Sequence, residues 1–246
     1  MNQSEQRIAV VIEDDADIQE VLEAILIEAG FVVKVADSGA AGIDLVSSYD
    51  PVLTTLDVNM PGMDGFETLK RLRALTTRSI IMISARFDEI DVVRGLSAGA
   101  DDFVAKPFRT AELRARIDAV LRRTAAVVAP AAEPSPSGWR EHDGLRLDAE
   151  RHRVELNQVP VALTRSEFDL LASLFDHGDR VHTKAELILS VQGDSYVTSG
   201  LVTDADRRSL EVHVANLRRK IGRTSAGVER IETVRGVGYR LRAAVH

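Results

Sequence analysis

The chain is organised around the segment Leu56-Asp57-Val58-Asn59-Met60-Pro61-Gly62-Met63-Asp64-Gly65. It places the carboxylate of Asp57 at the end of an apolar run that begins at Val52, and a loop rich in proline and glycine follows at once. An apolar run that ends in such a loop is typical of a buried parallel strand that delivers a residue to the edge of a sheet. We therefore expect Asp57 to lie where a functional site can form.

The same alternation of a short apolar run and a segment of helical periodicity occurs five times before residue 124. Alternation of this kind predicts an α/β fold, a doubly wound parallel sheet of five strands with helices on both faces. The predicted strands are Ile8–Ile12, Val32–Val35, Val52–Leu56, Ile80–Ile83 and Phe103–Ala105, and the predicted helices are Ala16–Ala29, Ala40–Ser48, Phe66–Leu75, Glu89–Ser97 and Thr110–Arg123.

Polar residues follow four of these strands. Glu13-Asp14-Asp15 comes after the first, Asp57 ends the third, Ser84 ends the fourth and Lys106-Pro107 ends the fifth. In an open α/β sheet, ligands bind outside the carboxyl ends of the strands, so these side chains are expected to converge. Taken singly, an acidic strand end is usually solvated and a Lys-Pro pair is usually a turn. The joint placement is what indicates a site.

The predicted site has the composition of a phosphoryl-transfer centre. Crowded carboxylates repel one another and need a cation, and oxygen ligands with open positions favour Mg²⁺. Asp57 is then a candidate nucleophile that forms an aspartyl-phosphate, while Mg²⁺ and the Lys106 ammonium neutralise charge on the phosphoryl group.

Four motifs within residues 7–123 resemble the receiver domain of two-component response regulators. They are Ile12-Glu13-Asp14-Asp15, Leu56-Asp57 with Met60–Gly65, Ile83-Ser84-Ala85-Arg86, and Gly99–Phe103 with Lys106-Pro107-Phe108. Because the match is made by four separate motifs in the right order, it is highly specific.

The resemblance implies a role for each site residue. Asp57 is expected to be the phosphoacceptor and Lys106 the ion-pair partner of the phosphate. The expected Mg²⁺ ligands are Asp14, Asp57, the backbone carbonyl of Asn59, and Glu13 through a water. Ser84 is expected to donate its hydroxyl to the phosphoryl group, and Phe103 to be the aromatic switch. Family members often have Thr and Tyr at these two positions, and Phe103 lacks the hydroxyl. The Lys106-Pro107 bond is expected to be cis.

Charge is distributed unevenly along the 246 residues. Residues 1–123 carry 14 Lys/Arg against 21 Asp/Glu, and the rest of the chain carries 17 of each, which together give the net charge of −7. Residues 207–242 hold ten basic residues against three acidic ones. This distribution favours nucleic acid as a partner of the second half alone, and a solvated charged helix is the alternative.

Composition excludes other classes of protein. With no cysteine, the chain has no disulfide framework and no thiolate metal site. No run approaches the roughly 18 apolar residues of a membrane-spanning helix, and no signal peptide is visible. We therefore expect a cytoplasmic protein without a membrane partner. Residues 124–138 are rich in Ala, Val, Pro and Ser, and they are predicted to form an interdomain linker.

The second half predicts an α+β domain at residues 139–242. Strands are predicted at Leu145–Leu147, Val154–Leu156 and Val159–Leu163, with a hairpin turn at Asn157-Gln158. Two capping boxes then open helices, at Thr164–Glu167 and Thr183–Glu186. After a polar loop, Gly193–Asp206, a third helix is predicted from Ser209 to Ile221.

The third helix has an apolar stripe, formed by Leu210, Val214, Leu217 and Ile221, that is predicted to face the core. The opposite side is predicted to fit a major groove, where an amide recognises adenine, methyl groups contact thymine, and guanidinium groups reach guanine or phosphate. The alternative is a solvated amphipathic helix. The candidate DNA-binding residues on this side are Arg208, Val212, Ala215, Asn216 and Arg219.

A glycine-turn hairpin at residues 231–241 resembles the wing of a winged helix-turn-helix. With Leu163–Leu171 and Glu211–Val214, it makes residues 140–242 similar to the DNA-binding domain of the OmpR/PhoB family. The resemblance implies that Arg235 enters the minor groove and that Thr233 and Tyr239 contact the DNA backbone. His213 is interpreted as a packed histidine.

Two features depart from the family pattern. The loop Gly193–Asp206, which commonly touches RNA polymerase in the family, is longer than expected, and Val191-Gln192 stands where Trp-Gly is common. Receivers of this family dimerise through charge pairs on the fourth helix, fifth strand and fifth helix, and Val92 occupies a position that is usually basic. The matching candidates for the dimer interface are Asp101, Asp102, Glu112, Arg116 and Arg123.

The sequence thus predicts a DNA-binding transcriptional regulator of a two-component phosphorelay, and not an enzyme. A sensor histidine kinase is expected to phosphorylate Asp57, after which the receiver forms a homodimer on double-stranded DNA. A regulator that works without phosphorylation is one alternative. An aspartyl-phosphate phosphatase is another, although such enzymes have Asp where this chain has Asn59.

Overall fold

The computed structural model of the chain describes residues 7–85, 89–128, 138–176, 180–192, 202–224 and 226–242, with the backbone alone at residues 122–128 and 192. The chain divides into two compact units, Met1–Val120 and Leu121–His246. The linker predicted at 124–138 falls largely outside the described residues, as does Arg86.

The first unit is a five-stranded parallel sheet in the order β2-β1-β3-β4-β5, flanked by helices. This order confirms the predicted doubly wound fold. The strands are β1 (Ile8–Ile12), β2 (Val32–Ala36), β3 (Leu53–Asp57), β4 (Ser79–Ser84) and β5 (Asp102–Ala105), and the helices are α1 (Ala16–Glu28), α2 (Gly39–Tyr49), α3 (Gly65–Leu75), α4 (Glu89–Ser97) and α5 (Thr110–Val128).

The centre of this sheet is fully buried. Every residue of β3 and of β4 is shielded from solvent, as expected for strands covered on both faces. Strand β1 pairs with both β2 and β3, so the strand order reverses beside it. The carboxyl ends of β1, β3, β4 and β5 therefore border the crevice where such sheets bind ligands.

Helix α5 is longer than predicted. It continues to Val128, five residues beyond the predicted end at Arg123. These residues, Thr124–Val128, include two alanines and lack an amphipathic period, which is why they suggested a linker. Alanine has the highest intrinsic helix propensity, so a helix that is already formed extends through it without an apolar face.

The second unit combines two small antiparallel sheets with three helices. The sheets have the orders β6-β7-β8-β9 and β10-β12-β11. The elements are β6 (Trp139–His142), β7 (Leu145–Asp148), β8 (Arg153–Leu156), β9 (Val159–Pro160), α6 (Arg165–Asp176), β10 (His182–Thr183), α7 (Lys184–Gln192), α8 (Asp204–Ile221), β11 (Ile231–Val234) and β12 (Gly238–Leu241).

Strand β6 was not predicted, because its sequence Trp139–His142 has no apolar alternation. Its pairing with β7 depends instead on the turn Asp143-Gly144, in which both residues have positive φ angles, 47° and 73°. An Asp-Gly pair is the commonest signal of a tight hairpin, and it could have revealed this strand. The predicted turn Asn157-Gln158 also has positive φ angles and joins β8 to β9, which ends at Pro160 and not at Leu163.

Both predicted capping boxes are present. Glu167 accepts from the Thr164 amide at 2.8 Å, and Glu186 accepts from the Thr183 amide at 2.7 Å. Helix α8 begins at Asp204, five residues before its predicted start, because Thr203 forms a third capping box with Asp206. The usual capping-box pattern has Glu or Gln three residues after the N-cap, where this helix has Asp206, so the box was not predicted. Residues 193–201 of the predicted loop lie outside the described residues.

A hydrophobic core holds the second unit together. It joins side chains from both sheets and from all three helices, including Leu147, Leu171, Ile188, Leu217 and Leu241. The predicted core stripe of α8 is buried within it, which confirms that face. Among the described residues of the chain, no helix is both long enough and apolar enough to cross a membrane.

Candidate functional site

Asp57 is the last residue of the central strand β3 and is only 3% exposed. The backbone amide of Asn59 donates to its Oδ2 at 2.9 Å. The loop that follows returns at once to the strand end, where the Gly65 amide donates to the Val58 carbonyl at 2.9 Å. Asp57 is thus fixed by the strand on one side and by a closed loop on the other.

Gly65 must be a glycine for this loop to close. A Cβ atom at this position would lie 2.3 Å from the Asp57 carbonyl oxygen and 2.7 Å from the Val58 Cα. Both obstacles belong to the backbone, so neither can rotate away. The start of α3 therefore lies directly against the strand end that carries the predicted phosphoacceptor.

Lys106 follows β5 and connects two carboxylates of the site. Its Nζ donates to Asp57 Oδ1 at 2.7 Å and to both carboxylate oxygens of Glu13 at 2.8 Å. Burial alone would lower the pKa of Lys106, but the hydrogen bonds and charges of Asp57 and Glu13 outweigh burial and raise it. The lysine is therefore held as an ammonium. The predicted cis peptide bond Lys106-Pro107 is confirmed.

Glu13 is almost completely buried, at 1% exposure. Burial raises the pKa of its carboxyl group, and the neighbouring Asp57 raises it further, while the Lys106 hydrogen bond opposes both. The carboxylate oxygens of Glu13, Asp14 and Asp57 lie within 4.8 Å of one another, and Asp14 is exposed. Two of these carboxylates, Glu13 and Asp57, thus bind the Lys106 ammonium, and the third, Asp14, lies beside them.

This donor set fits a magnesium ion. All three side chains offer oxygen, the ligand atom that Mg²⁺ prefers, and the exposed Asp14 leaves room for the waters that Mg²⁺ retains. Within the part of the cluster that the structure describes, the single cation Lys106 does not balance three acids, so a divalent ion at this position would relieve repulsion between them.

Ser84 and Phe103 are both buried. Ser84 ends β4, one residue after Ile83, which pairs with Asp57, and its carbonyl accepts from the Lys106 amide at 2.7 Å. Phe103 lies in β5 under helix α4, where its ring would be 3.3 Å from a Cβ added to Gly95. The structure therefore brings Ser84 beside Asp57 and Lys106, and it places Phe103 further along the sheet with its ring turned inward.

The acidic residues predicted for the dimer interface are engaged within the chain. Asp101 is 5% exposed, and its carboxylate accepts from Arg73 at 2.5 Å and from the Ile80 amide at 2.9 Å. Its predicted placement at a surface is wrong, because Arg73 of α3 draws it inward. Arg116 likewise contacts Asp102 and Glu112, at 2.5 and 3.1 Å. The side chain of Arg123 lies outside the described residues.

Helix α8 exposes a narrower surface than predicted. Ala215 and Arg219 are exposed, and Arg208 and Val212 are half-buried, in keeping with the prediction. The placement of Asn216 on this face is wrong, because it is 3% exposed and its Oδ1 accepts from Arg219 Nη2 at 2.9 Å. Both α6 and α7 pack against α8, so the buried arc of the helix is wider than a single apolar stripe.

The hairpin β11–β12 has the predicted wing shape. Arg235 and Gly236 are exposed in its turn, where Gly236 has a φ of 75°, and Thr233 is exposed on β11. The placement of Tyr239 for backbone contact is wrong, because the residue is 5% exposed and belongs to the hydrophobic core. The resemblance to the family implied the backbone contact, but helix α6 packs against β12 and Tyr239 joins the core.

Two basic residues that join α8 to its neighbours were not identified from the sequence. Lys184, at the start of α7, donates to Glu211 of α8 at 2.6 Å, and this hydrogen bond raises the pKa of Lys184. Arg218 of α8 reaches β11, where it donates to the Ile231 carbonyl and the Thr233 hydroxyl. The basic run Arg218–Lys220 is visible in the sequence, but which of its members face the hairpin is not.

Two family models match the chain. The response regulator receiver domain matches residues 9–118, and the model described as transcriptional regulatory protein, C terminal, matches residues 158–241. The chain belongs to the OmpR/PhoB family of two-component response regulators. It is therefore a DNA-binding regulator of transcription with a receiver domain and a winged-helix domain.

Similar proteins match over almost the full length. The chain is 39% identical to the sensory transduction protein RegX3 of Mycolicibacterium smegmatis, over 94% of this chain and 97% of the relative. It is 39% identical to the transcriptional regulatory protein CseB of Streptomyces avermitilis, over 98% and 100%. A solved structure of a RitR cysteine-to-serine mutant is 25% identical, covers 97% of this chain and 100% of that one, and superposes with a TM-score of 0.74.

Proposed function

We propose that Asp57 accepts a phosphoryl group from the phosphohistidine of a sensor histidine kinase. The observation that carries the proposal is the pairing of a nearly buried Asp57 with the Lys106 ammonium at 2.7 Å, inside a cluster of three carboxylates. In the transfer, an oxygen of Asp57 forms a bond to phosphorus as the phosphorus–nitrogen bond of the donor breaks, and the imidazole leaves.

Each residue of the site has its own role in the proposed phosphoryl transfer. The Asn59 amide holds Oδ2 of Asp57 and Lys106 holds Oδ1, so the nucleophile is oriented before the donor arrives. Glu13, Asp14 and Asp57, with the Asn59 carbonyl, would hold Mg²⁺, with Glu13 contributing through a water. When bound, this ion supplies positive charge against the phosphoryl oxygens. Lys106 supplies the second positive charge.

Phosphorylation is proposed to change the receiver surface. Ser84, at the end of β4, would donate its hydroxyl to the new phosphoryl group, and the ring of Phe103, which already lies inward beneath α4, would be held there. The rearranged α4–β5–α5 face then binds a second copy. Because Asp101 is held by Arg73, we propose that Asp102, Glu112, Arg116 and Arg123 provide the charges of this dimer.

The dimer is proposed to place two α8 helices in the major grooves of adjacent half-sites. Arg208, Val212, Ala215 and Arg219 would face the base edges and phosphates, and Arg235 would enter the minor groove from the wing. Thr233 would contact the DNA backbone. Dimerisation raises DNA affinity because the second binding event becomes intramolecular. A contact of the loop 193–206 with RNA polymerase completes the proposal.

Two alternatives predict different chemistry. A regulator that works without phosphorylation does not require a complete phosphoryl-transfer site. The presence of all the site residues at one edge of the sheet therefore favours phosphorylation; they are Glu13, Asp14, Asp57, Ser84 and Lys106. A phosphatase would release inorganic phosphate from a small substrate continuously. The similar proteins include the sensory transduction protein RegX3 and the transcriptional regulatory protein CseB, which favours the signalling role.

The test is Mg²⁺-dependent labelling of the full chain by acetyl phosphate, read by intact mass. We expect one phosphoryl group on the wild type and none on Asp57→Ala, with a higher oligomer in the labelled sample alone. Asp64→Asn is the matched control, because Asp64 is the next acid in the same loop and its cap to the Glu67 amide survives the change. Labelling of Asp57→Ala, or sustained phosphate release, would refute the proposal.

A further inference from the structure

Arg218 lies on α8 but does not face the surface that α8 offers to DNA. Its Nε and Nη2 donate to the backbone carbonyl of Ile231 at 3.1 and 2.7 Å. Nη2 also donates to the Thr233 hydroxyl at 2.7 Å, and the guanidinium lies 5.7 Å from the centre of the Tyr239 ring. All of these partners belong to the hairpin β11–β12. The side chain thus joins the recognition helix to the wing.

The position of this contact matters because β11 is an edge strand. In the order β10-β12-β11, β11 pairs with β12 alone. Ile231 stands opposite Leu241, and the neighbouring pair, Arg230 and Arg242, is hydrogen-bonded through the Arg242 amide and the Arg230 carbonyl. In an antiparallel sheet, hydrogen-bonded pairs alternate with pairs that are not hydrogen-bonded to each other. Ile231 belongs to the second kind, so its carbonyl points away from β12. Arg218 takes the place that a further strand would occupy.

The other edge of the hairpin is fixed by the backbone. Strand β12 pairs with β10 through His182↔Tyr239 and Thr183↔Gly238. At Gly238 the strands are so close that a Cβ atom would lie 1.8 Å from the His182 carbonyl oxygen. That side of the wing is therefore anchored to the start of α7. On the β11 side, two arginines make described contacts with α8: Arg230, just before β11, donates to the Ile221 carbonyl at the end of the helix at 3.2 Å, and Arg218 binds β11 itself.

We propose that Arg218 is a positioning residue that sets the spacing between helix α8 and the wing turn, and so lets both reach their grooves at once. The proposal rests on the proposed function of α8 and Arg235. Arg235 stands two residues after Thr233, so a rotation of β11 about its partner strand moves the minor-groove contact directly.

The chemistry of this link requires arginine. A guanidinium offers several donors in one plane and can bind the Ile231 carbonyl twice while it reaches the Thr233 hydroxyl. The ammonium of a lysine is a point donor and cannot hold both acceptors in this geometry. Arg207, on the same helix, is exposed, lies 3.9 Å from Asp204 of α8 and has no part in the proposed DNA contacts, so it serves as a matched control.

The experiment is a double-mutant cycle between Arg218→Lys and Arg235→Ala in the full chain. The DNA is a duplex that the wild type has selected from a randomised pool. We expect Arg235→Ala to weaken binding about tenfold in the wild type and less than threefold in the Arg218→Lys background. In the background of Arg207→Lys, the control, the effect of Arg235→Ala should remain about tenfold.

Salt dependence separates positioning from direct phosphate contact. If Arg218 binds no phosphate, Arg218→Gln leaves the slope of log affinity against log salt unchanged, whereas loss of a phosphate contact reduces that slope by about one. Should Arg218→Lys unfold the domain, Thr233→Val removes one of the three hydrogen bonds with little loss of packing, and it should halve the effect of Arg235→Ala.

Additive effects in the cycle, or a salt slope that falls by about one in Arg218→Gln, would overturn the positioning role. A wild type in which Arg235→Ala has no effect would show instead that the proposed wing contact is absent, and the positioning role would fall with it. The effect of Arg235→Ala in the chain with Arg218 intact is therefore enough to tell a failure of the proposed wing contact from a failure of the positioning role.

Discussion

Replacing Gly65 by alanine is the change that tests most sharply how the fold positions the phosphoacceptor. The added Cβ would lie 2.3 Å from the Asp57 carbonyl oxygen, and real Cβ contacts essentially never fall below 3.0 Å. The difference between these two distances requires a shift of about 0.7 Å. Because the obstacle is the backbone of Asp57 itself, the shift moves the predicted nucleophile.

The expected loss follows from the geometry of the site. If the carboxylate moves with its backbone away from Lys106, the bond of 2.7 Å between Nζ and Oδ1 lengthens to about 3.4 Å, beyond a normal hydrogen bond. Since misplacement of a reacting group by about 1 Å costs roughly a hundredfold in rate, we expect Gly65→Ala to slow phosphorylation about ten- to a hundredfold. Stability should fall by about 1–3 kcal/mol from overpacking.

The assay is the rate of labelling by acetyl phosphate at saturating Mg²⁺, measured by intact mass. Gly39→Ala is the control, because its Cβ would meet a side-chain atom, the Thr68 hydroxyl, at 2.2 Å. That variant should lose stability from overpacking while its labelling rate stays within about threefold of the wild type. If Gly65→Ala is labelled as fast as Gly39→Ala, the close approach of α3 does not position Asp57.

Three further predictions concern stability. Lys106→Met leaves two buried carboxylates without their cation, so without Mg²⁺ it should destabilise the receiver by about 3–5 kcal/mol in urea unfolding, and added Mg²⁺ should restore part of the loss. The hydrogen bond from the Thr183 amide lowers the pKa of Glu186 in the folded state. The stability that this bond gives is present above the pKa of Glu186 in the unfolded chain, and it is lost as pH falls through the pKa in the folded chain. Glu186→Gln should therefore make the free energy of unfolding depend less on pH in the acid range. Gly238→Ala should destabilise the second unit by about 3 kcal/mol, because the new Cβ would meet the His182 carbonyl at 1.8 Å. Unfolding can be measured by the fluorescence of the single tryptophan, Trp139.

The sequence was sufficient for the receiver site because one rule governs it. Glu13 and Lys106 are 93 residues apart along the chain, and Lys106 and Asp57 are 49 apart. Their meeting follows from a parallel sheet, in which the carboxyl ends of all strands share one edge. Local patterns identified the strands, and this rule brought their ends together. No comparable rule gives the direct bond from Lys106 to Glu13, which depends on side-chain geometry.

The errors share a different cause. Asn216 was placed at a surface by the helical period, and Tyr239 and Asp101 by the resemblance to the family. Each is buried by an element that is distant in the sequence: α6 and α7 pack against α8, α6 packs against β12, and Arg73 binds Asp101 across 28 residues. The helical or strand period of a sequence predicts the direction of a side chain, but not how much of the helix or strand is covered by the elements that pack against it. The early start of α8 at Asp204 was missed for a local reason, because aspartate replaces glutamate in the capping box that Thr203 forms with Asp206.

The central claim is that a phosphoryl group on Asp57 increases DNA binding. The direct measurement is the affinity of the full chain for its selected duplex, with and without acetyl phosphate and Mg²⁺, compared between wild type and Asp57→Ala at one salt concentration. We predict that treatment raises the affinity of the wild type at least tenfold and leaves that of Asp57→Ala unchanged. An equal affinity of treated and untreated wild type, or an equal gain in Asp57→Ala, would contradict the account.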